Sequence, residues 1–391
     1  MPAGETCSRK QDQRSPDDSP PIANRLSDVG ERLGTCYSLG REWTDFHSPG
    51  TESMKKNQDD GYWVGFDLGG TKMQAVLFDR KFSVVARRKK KTRGSEGADA
   101  GVERIISIIE KLLEEAHITH NDLAGIGVGC PGPLNLEEGV ILDAPNLGWR
   151  NVPLRRILEE RFGSFTTICN DVDAGVFGEY RFGAAAGARG VLGAFPGTGI
   201  GGGLVYEGKI YRGSTASCLE IGHVPVVPDG KLCGCGRRGC LETVASRLAI
   251  SSQIAEAAYR GQAPNLLRVA GTDLANIRSG ALAEAIMAGD TVVEEIVRAG
   301  ARQLGTALAG FVNILLPDMI VLGGGLVEAL PQIYLAEVRS AMENRVMPAY
   351  VKVTEVSVAK LGDDAGAMGA AAWVSHEAET EPRLAVAGVA S

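Results

Sequence analysis

Two α/β lobes enclosing a ligand cleft are the expectation from this 391-residue sequence, and three observations carry it. A strand, a glycine turn and a second strand open at Tyr62. The same order begins again near Gly190. Each opening is followed by helical segments alternating with short apolar strands. Such alternation places helices against the faces of a mainly parallel sheet, and two copies of one opening point to a weak internal duplication. A cleft between two such lobes is where small ligands usually bind.

Tyr62–Leu68 reads as a strand, Gly69–Lys72 as a turn, and Met73–Phe78 and Ser83–Lys89 as the next two strands. Val102, Ile105, Ile106, Ile109, Leu112 and Leu113 recur at helical spacing and predict a helix over Val102–Glu115. Ile126–Val128 and Thr166–Cys169 read as short buried strands, with a helix from about Asp173 to Phe182. In the second half, Val191–Phe195 is a strand, Gly197–Gly203 a glycine-rich turn, and Leu204–Tyr206 and Lys209–Tyr211 returning strands. Helices are expected near residues 243–260, 281–288 and 291–315, and Met319–Leu322 is a buried strand leading into Gly323-Gly324-Gly325. A last helix, Asp364 to about Ser375, is expected to cross back to the first lobe. The lobes are therefore drawn as residues 61–185 with the returning helix at about 364–376, and residues 186–363. Residues 1–60 are rich in Ser, Asp, Arg, Gln and Pro and cannot bury enough apolar surface to offset their ordering entropy. They read as a disordered tail or a mis-called gene start, Met54 being the alternative start, and residues 377–391 read as a second tail.

Composition narrows the function classes. With 44% apolar and 23% charged residues, whole-chain disorder and a fibrous fold are excluded. The 41 basic and 48 acidic residues leave a net charge of −7, which exerts no general pull on nucleic acid or an anionic membrane. The basic run Arg87–Arg93 ends a hairpin, where Lys and Arg keep an edge strand from pairing with other chains. No apolar stretch approaches the ~20 residues of a membrane span, and the first 30 residues lack a signal-peptide core; a cytoplasmic protein is expected. The 51 glycines cluster at 69–70, 197–203 and 323–325, which argues for tight turns that let the backbone approach a phosphate.

Two pattern matches are decoys. Gly197-Thr-Gly-Ile-Gly-Gly202 satisfies the dinucleotide fingerprint, but that motif must open a helix and here the chain continues as a hairpin. Gly203 to Lys209 fits a P-loop except that Ile210 stands where Ser or Thr should hold magnesium. What remains is a Gly-Thr turn between antiparallel strands, present twice: Asp67-Leu-Gly69-Gly70-Thr71-Lys72 and Gly197-Thr198-Gly199. Backbone N–H groups and a Thr hydroxyl can converge there on a phosphate. The plain alternative, two ordinary hairpins, leaves both copies and the acid of the first unexplained.

The most specific local signal is His223 with Cys233, Cys235 and Cys240. One imidazole and three thiolates form the four-ligand set zinc favours in closed structural sites, and four protein ligands leave no position for a catalytic water. By contrast Cys130, Cys169 and Cys218 have no histidine neighbour in sequence and read as packing residues, and His117 and His120 as surface residues at a helix end.

Taken together, Asp67-Leu-Gly-Gly-Thr-Lys72, Gly129-Cys-Pro-Gly-Pro133, Asn170-Asp171, Gly197–Gly203, the Glu220–Glu242 segment and Gly323-Gly-Gly325 resemble the ROK family (repressors, open reading frames, kinases) over about residues 61–376. Ala144-Pro-Asn146-Leu-Gly-Trp149 is similar to its glucokinase members in particular. The resemblance implies the two-lobed actin/hexokinase-like (ribonuclease H-like) fold and ATP-dependent phosphorylation of a hexose, glucose first. It implies Asp171 as general base, and Gly132, Asn146, Asn170, Glu220, His223 and Glu242 around the sugar. Asp67 would help position Mg²⁺, Gly69, Gly70, Thr71, Lys72, Thr198 and Gly199 would hold ATP phosphates, and Gly324 would lie against the adenosine. Structural Zn²⁺ would fix the loop bearing His223. A homodimer is implied as well. One departure stands out: where the family often has Ala-Asn after the Asn-Asp pair, this chain has Val172-Asp173, an added acid beside the base.

The chemistry of these residue types agrees, because a ring of sugar hydroxyls calls for carboxylates, amides and imidazole, and phosphoryl transfer for positioning and charge neutralisation with an aspartate taking the hydroxyl proton. The alternatives are a kinase for N-acetylglucosamine, N-acetylmannosamine, mannose or fructose, a sugar-responsive ROK repressor, and a silent sugar-binding module. A repressor needs a helix-turn-helix ahead of the lobes, and residues 1–60 offer at most one short helix.

Overall fold

A computed structural model describes residues 61–213 and 219–380; the expected first tail, most of the second and Cys218 lie outside the described residues. The chain opens as a three-stranded meander, β1 (Tyr62–Leu68), β2 (Lys72–Phe78) and β3 (Val84–Lys91), followed by α1 (Ala98–Ala116) and β4 (Leu123–Cys130). Next come a small antiparallel sheet, β5 (Leu134–Asn135), β6 (Val140–Ala144) and β7 (Trp149–Val152), then α2 (Leu154–Phe162), β8 (Thr166–Asn170) and α3 (Asp171–Phe182). The first large sheet has the order β3-β2-β1-β4-β8, so β3 is an edge strand, as its basic run suggested. The stripe Val102, Ile105, Ile109 and Leu112 of α1 is buried against this sheet.

A second five-stranded sheet repeats the plan. It is built from β9 (Gly190–Pro196), β10 (Ile200–Tyr206) and β11 (Lys209–Ile210), with β12 (Met319–Leu322) and β13 (Glu355–Val358) added in parallel, in the order β11-β10-β9-β12-β13. Both sheets thus place an antiparallel hairpin beside parallel strands, the internal resemblance that two Gly-Thr openings predicted. Between β11 and β12 lie α4 (Glu242–Ala245), α5 (Arg247–Tyr259), α6 (Pro264–Ala270), α7 (Ser279–Met287) and α8 (Thr291–Leu315). Between β12 and β13 lie α9 (Gly325–Ala329) and α10 (Pro331–Glu343).

The last helix, α11 (Ala365–Thr380), returns to the first sheet and packs on α3. Its Ala- and Gly-rich face makes the approach very close. A Cβ on Gly369 would fall 1.7 Å from the Ala174 carbonyl oxygen of α3, so no other residue fits there. The helix runs past the expected end at about 376: Glu377–Thr380 are helical rather than tail. The structure also adds elements that the periodicity did not show, namely the small sheet β5–β7, α2, α6, α10 and β13. These are short or weakly patterned segments, whose order comes from neighbours. Among the described residues no helix is long and apolar enough to cross a membrane.

Candidate active site

The junction of β8 with α3 holds the first pair of predicted residues. Asn170 is the N-cap of α3, its Oδ1 accepting from the backbone nitrogens of Val172 (2.9 Å) and Asp173 (3.3 Å). An Asn in this position satisfies two of the donors that a helix start leaves unpaired, and its amide group also lies against the Asp171 carboxylate. Asp171, the first helical residue, accepts from Val172 N at 3.0 Å. Burial pushes its carboxyl above the usual range, the Val172 N–H opposes this, and the nearby Glu220 charge adds to the rise. A carboxylate at a helix N-terminus with little water around it is placed to accept a proton from a bound hydroxyl.

Asp67, at the end of β1, faces Asp171. Burial first, then the Asp171 charge, push its carboxyl up to about 7, with Lys72 pulling the other way. Two buried carboxyls whose charges meet at one point are a donor set that suits the Mg²⁺ accompanying a nucleotide. Asp67, Lys72, Asp171 and Gly324 line one cavity of about 200 Å³, reached from both large sheets. The first Gly-Thr turn is closed by Gly69 N donating to Lys72 O (3.0 Å) and by Thr92 Oγ1 donating to Gly69 O (2.6 Å). Gly70 and Thr71 at its tip are exposed, and Asn146 stands beside Gly70, whose added Cβ would lie 3.5 Å from the Asn146 Cβ. Gly132 follows β4 and precedes a cis bond to Pro133.

The second Gly-Thr turn joins β9 to β10 as a hairpin, not a helix, which disposes of the dinucleotide reading. Its Thr198 does not line the first cavity. Together with Glu242, Cys233 and Ser246 it lines a separate cavity of about 280 Å³, and its Oγ1 accepts from Arg247 Nη2 at 2.8 Å. Glu242 Oε1 accepts from Ile200 N at 2.7 Å and lies against Gly199. Glu220 is exposed, at the centre of a turn in which Ile221 N donates to Leu219 O.

The cysteine segment folds into a tight hairpin, Cys233 N donating to Arg237 O and Gly239 N to Lys231 O. Gly239 has φ of +74°, and a Cβ there would fall 1.8 Å from the Val227 carbonyl oxygen. The turn gathers one donor atom each from His223, Cys233, Cys235 and Cys240, all within 4.8 Å of one another. Cys235 Sγ and Cys240 Sγ are 3.7 Å apart, and His223 Nδ1 is 3.6 Å from Cys233 Sγ. The edges of a tetrahedral zinc site are roughly 3.8 Å between sulfurs and about 3.6 Å from sulfur to nitrogen, so the residues fit the ion. With Nδ1 turned to the thiols, His223 keeps Nε2 for a different partner.

Cys130 and Cys169 are buried, with burial pushing both thiols up, which suits packing residues. Several residues of the site escaped the sequence. Asp363 pairs with Lys72 (2.6 Å) and Lys89 (3.0 Å), Asp364 Oδ1 accepts from Gln74 Nε2 (2.6 Å), and Glu328 lines the first cavity. The only signal available was Gly362-Asp-Asp364 ahead of a helical pattern, which reads equally as helix-start chemistry.

Residues 63–377 match the profile described as the ROK family. Over 321 residues the chain is 33% identical to a glucokinase of Halalkalibacterium halodurans, covering 82% of this chain and 96% of that one. A xylose repressor of Caldicellulosiruptor bescii is 29% identical over 332 residues, covering 85% and 82%. The crystal structure of a ROK family glucokinase from Streptomyces griseus in complex with glucose and AMPPNP aligns with a TM-score of 0.70 at 32% identity, covering 81% of this chain and all of that one. The fold is the two-lobed actin/hexokinase-like one expected from the motifs, with mixed rather than purely parallel sheets.

Proposed function

The chain belongs to the ROK family, and on that premise we propose that it is an ATP-dependent hexose kinase that converts glucose to glucose 6-phosphate. The observation that carries the reading is the grouping of Asp67, Lys72, Asp171 and Gly324 on one cavity between the two large sheets. In the proposed reaction a sugar hydroxyl oxygen forms a bond to the γ-phosphorus, the bond from that phosphorus to the bridging oxygen breaks, and ADP leaves. Asp171 takes the hydroxyl proton as the new bond forms. Asn146, Asn170, Glu220, His223 and Glu242 are assigned to the sugar hydroxyls, with Gly132 close by. The turn Gly69–Lys72 and Thr198-Gly199 are assigned to the phosphates, and Gly324 to the adenosine. Bound Mg²⁺, held with the help of Asp67, supplies charge neutralisation. Zn²⁺ held by His223, Cys233, Cys235 and Cys240 would lock the ring of His223, leaving Nε2 to meet a hydroxyl. The reading also takes the chain as a cytoplasmic homodimer.

Purified protein assayed with Mg-ATP and a panel of glucose, mannose, fructose, N-acetylglucosamine and N-acetylmannosamine should release ADP with glucose, and Asp171→Asn should not. Activity on another sugar alone would replace the substrate and keep the mechanism. No release on any sugar from folded, zinc-loaded protein would overturn the kinase. The similarity to a xylose repressor supports a second reading, sugar-responsive DNA binding, which leaves Lys72 and the two phosphate turns without a task.

A further inference from the structure

Two turns along α3 from Asp171 stands a second carboxylate, Glu179, which is fully buried and which phosphoryl transfer as assigned above does not use. Burying a carboxylate is costly unless its oxygens are hydrogen-bonded, and the three partners of this one are backbone groups. Oε2 accepts from Ala184 N at 2.7 Å, just past the end of the same helix. Oε1 accepts from Lys360 N at 2.8 Å and from Leu361 N at 2.7 Å, 181 and 182 positions along the chain. Two successive N–H groups converging on one oxygen form a small fixed cradle for a negative charge. The carboxylate fills its space closely, since a Cβ on Gly183 would fall 2.0 Å from Oε2.

Lys360 and Leu361 lie in the short crossover between β13 of the second sheet and α11, which packs on α3. The same crossover puts Ala359, Gly362 and Asp363 on the wall of the first cavity, beside Asp67, Lys72 and Asp171. Its start is tied to the second sheet by Ala359 N, which donates to Leu322 O at 2.8 Å. Its end is tied to the first sheet by Asp363 with Lys72 and by Asp364 with Gln74, each at 2.6 Å. Between these ties the two middle N–H groups meet Glu179.

One helix thus carries the base at its first turn and, further on, the group that holds part of the cavity wall. We propose that Glu179 is a positioning residue for the nucleotide: by holding Lys360 and Leu361 it fixes Gly362 and Asp363, and through Asp363 the Lys72 ammonium, relative to the helix that bears Asp171. The residues assigned to the sugar come from other segments, so loosening the crossover falls on ATP rather than on glucose. This inference deepens the kinase reading and rests on it.

The test is steady-state kinetics of the full chain with Mg-ATP and glucose for wild type, Glu179→Gln and Gly183→Ala, with thermal unfolding alongside. Glu179→Gln keeps the shape and replaces one accepting oxygen by an NH₂ that cannot accept. Gly183→Ala keeps Glu179 and pushes its carboxylate off the crossover. Each should raise KM for Mg-ATP on the order of 10-fold while KM for glucose stays within about 2-fold. A carboxylate that serves stability alone would lower the melting temperature and leave both KM values as in wild type. That result in folded Glu179→Gln, or an equal rise in both KM values, overturns the positioning role while the kinase stands. With Glu179→Gln unfolded, unchanged KM values in Gly183→Ala do the same. A wild-type protein inactive on every hexose overturns both.

Discussion

Glu242 Oε1 accepts a hydrogen bond from the backbone nitrogen of Ile200 at 2.7 Å, which ties the residue after the cysteine hairpin to the second Gly-Thr turn. One carboxylate thus touches the β9–β10 turn with one oxygen, while the other lies 3.9 Å from Cys233 Sγ. Glu242→Ala leaves a backbone N–H without its partner, at a cost of about 1–3 kcal/mol, and removes a proposed sugar contact. A lowered melting temperature with a glucose affinity at least about 10-fold weaker is expected, read by thermal unfolding and calorimetric titration. Melting unchanged with affinity unchanged would leave Glu242 without either role.

Asp171→Asn should reduce kcat by about 10³-fold, near the range a positioned general base contributes, while glucose binding survives. Since burial raises the Asp171 carboxyl above the ordinary range, wild-type activity should fall with decreasing pH on an acid limb above pH 4. The base must be ionised to accept the proton, so activity is present above its pKa and lost below it. A kcat profile flat down to pH 4 would contradict this assignment.

Asp173 gives a stability prediction of definite sign. Burial pushes its folded-state pKa up to about 8, well above the ordinary carboxylate range, so the folded chain holds a proton that the unfolded chain releases. The stabilisation is full below the unfolded value and is lost as pH rises toward 8. Asp173→Asn removes that loss, so the variant should melt higher than wild type at pH 8.5, by an amount that shrinks as pH falls toward 4. Identical melting curves across the range would show that Asp173 does not titrate in this way.

Chelation bears on the cysteine hairpin. Zinc analysis should find one ion per chain, and its removal should lower both melting temperature and glucose affinity, because the donor atoms already stand at tetrahedral spacing. Cys240→Ser should do the same. Full glucose affinity in verified metal-free protein would sever the hairpin from the sugar.

Lys72 and Asp363 are both about half exposed, and ion pairs of that kind contribute at most about 1 kcal/mol. Asp363→Asn should accordingly melt close to wild type. Lys72→Met should raise KM for ATP several-fold with kcat less affected, measured by ADP release.

What the sequence determined by itself was local in origin. Strand β1 over Tyr62–Leu68 and strand β12 over Met319–Leu322 have the bounds that short apolar runs bordered by glycine predict, and the four zinc-type ligands could be named because three of them crowd into eight positions. The Gly-Thr turns could be told from dinucleotide and P-loop motifs because strand patterning continues beyond them. Tertiary structure alone decided the rest. Strands β5 and β13 and helix α6 are too short or too weakly patterned to announce themselves, and they are ordered by what they pack against. The pairs Asp363 with Lys72 and Glu377 with Arg212 join residues 291 and 165 positions apart. A lone Asp or Arg on a surface-like stretch carries no periodicity and no spacing rule. Its partner is chosen only when α11 lies down on α3, an approach so close that Gly369 admits no side chain, and charges remote in sequence then come within reach of one another.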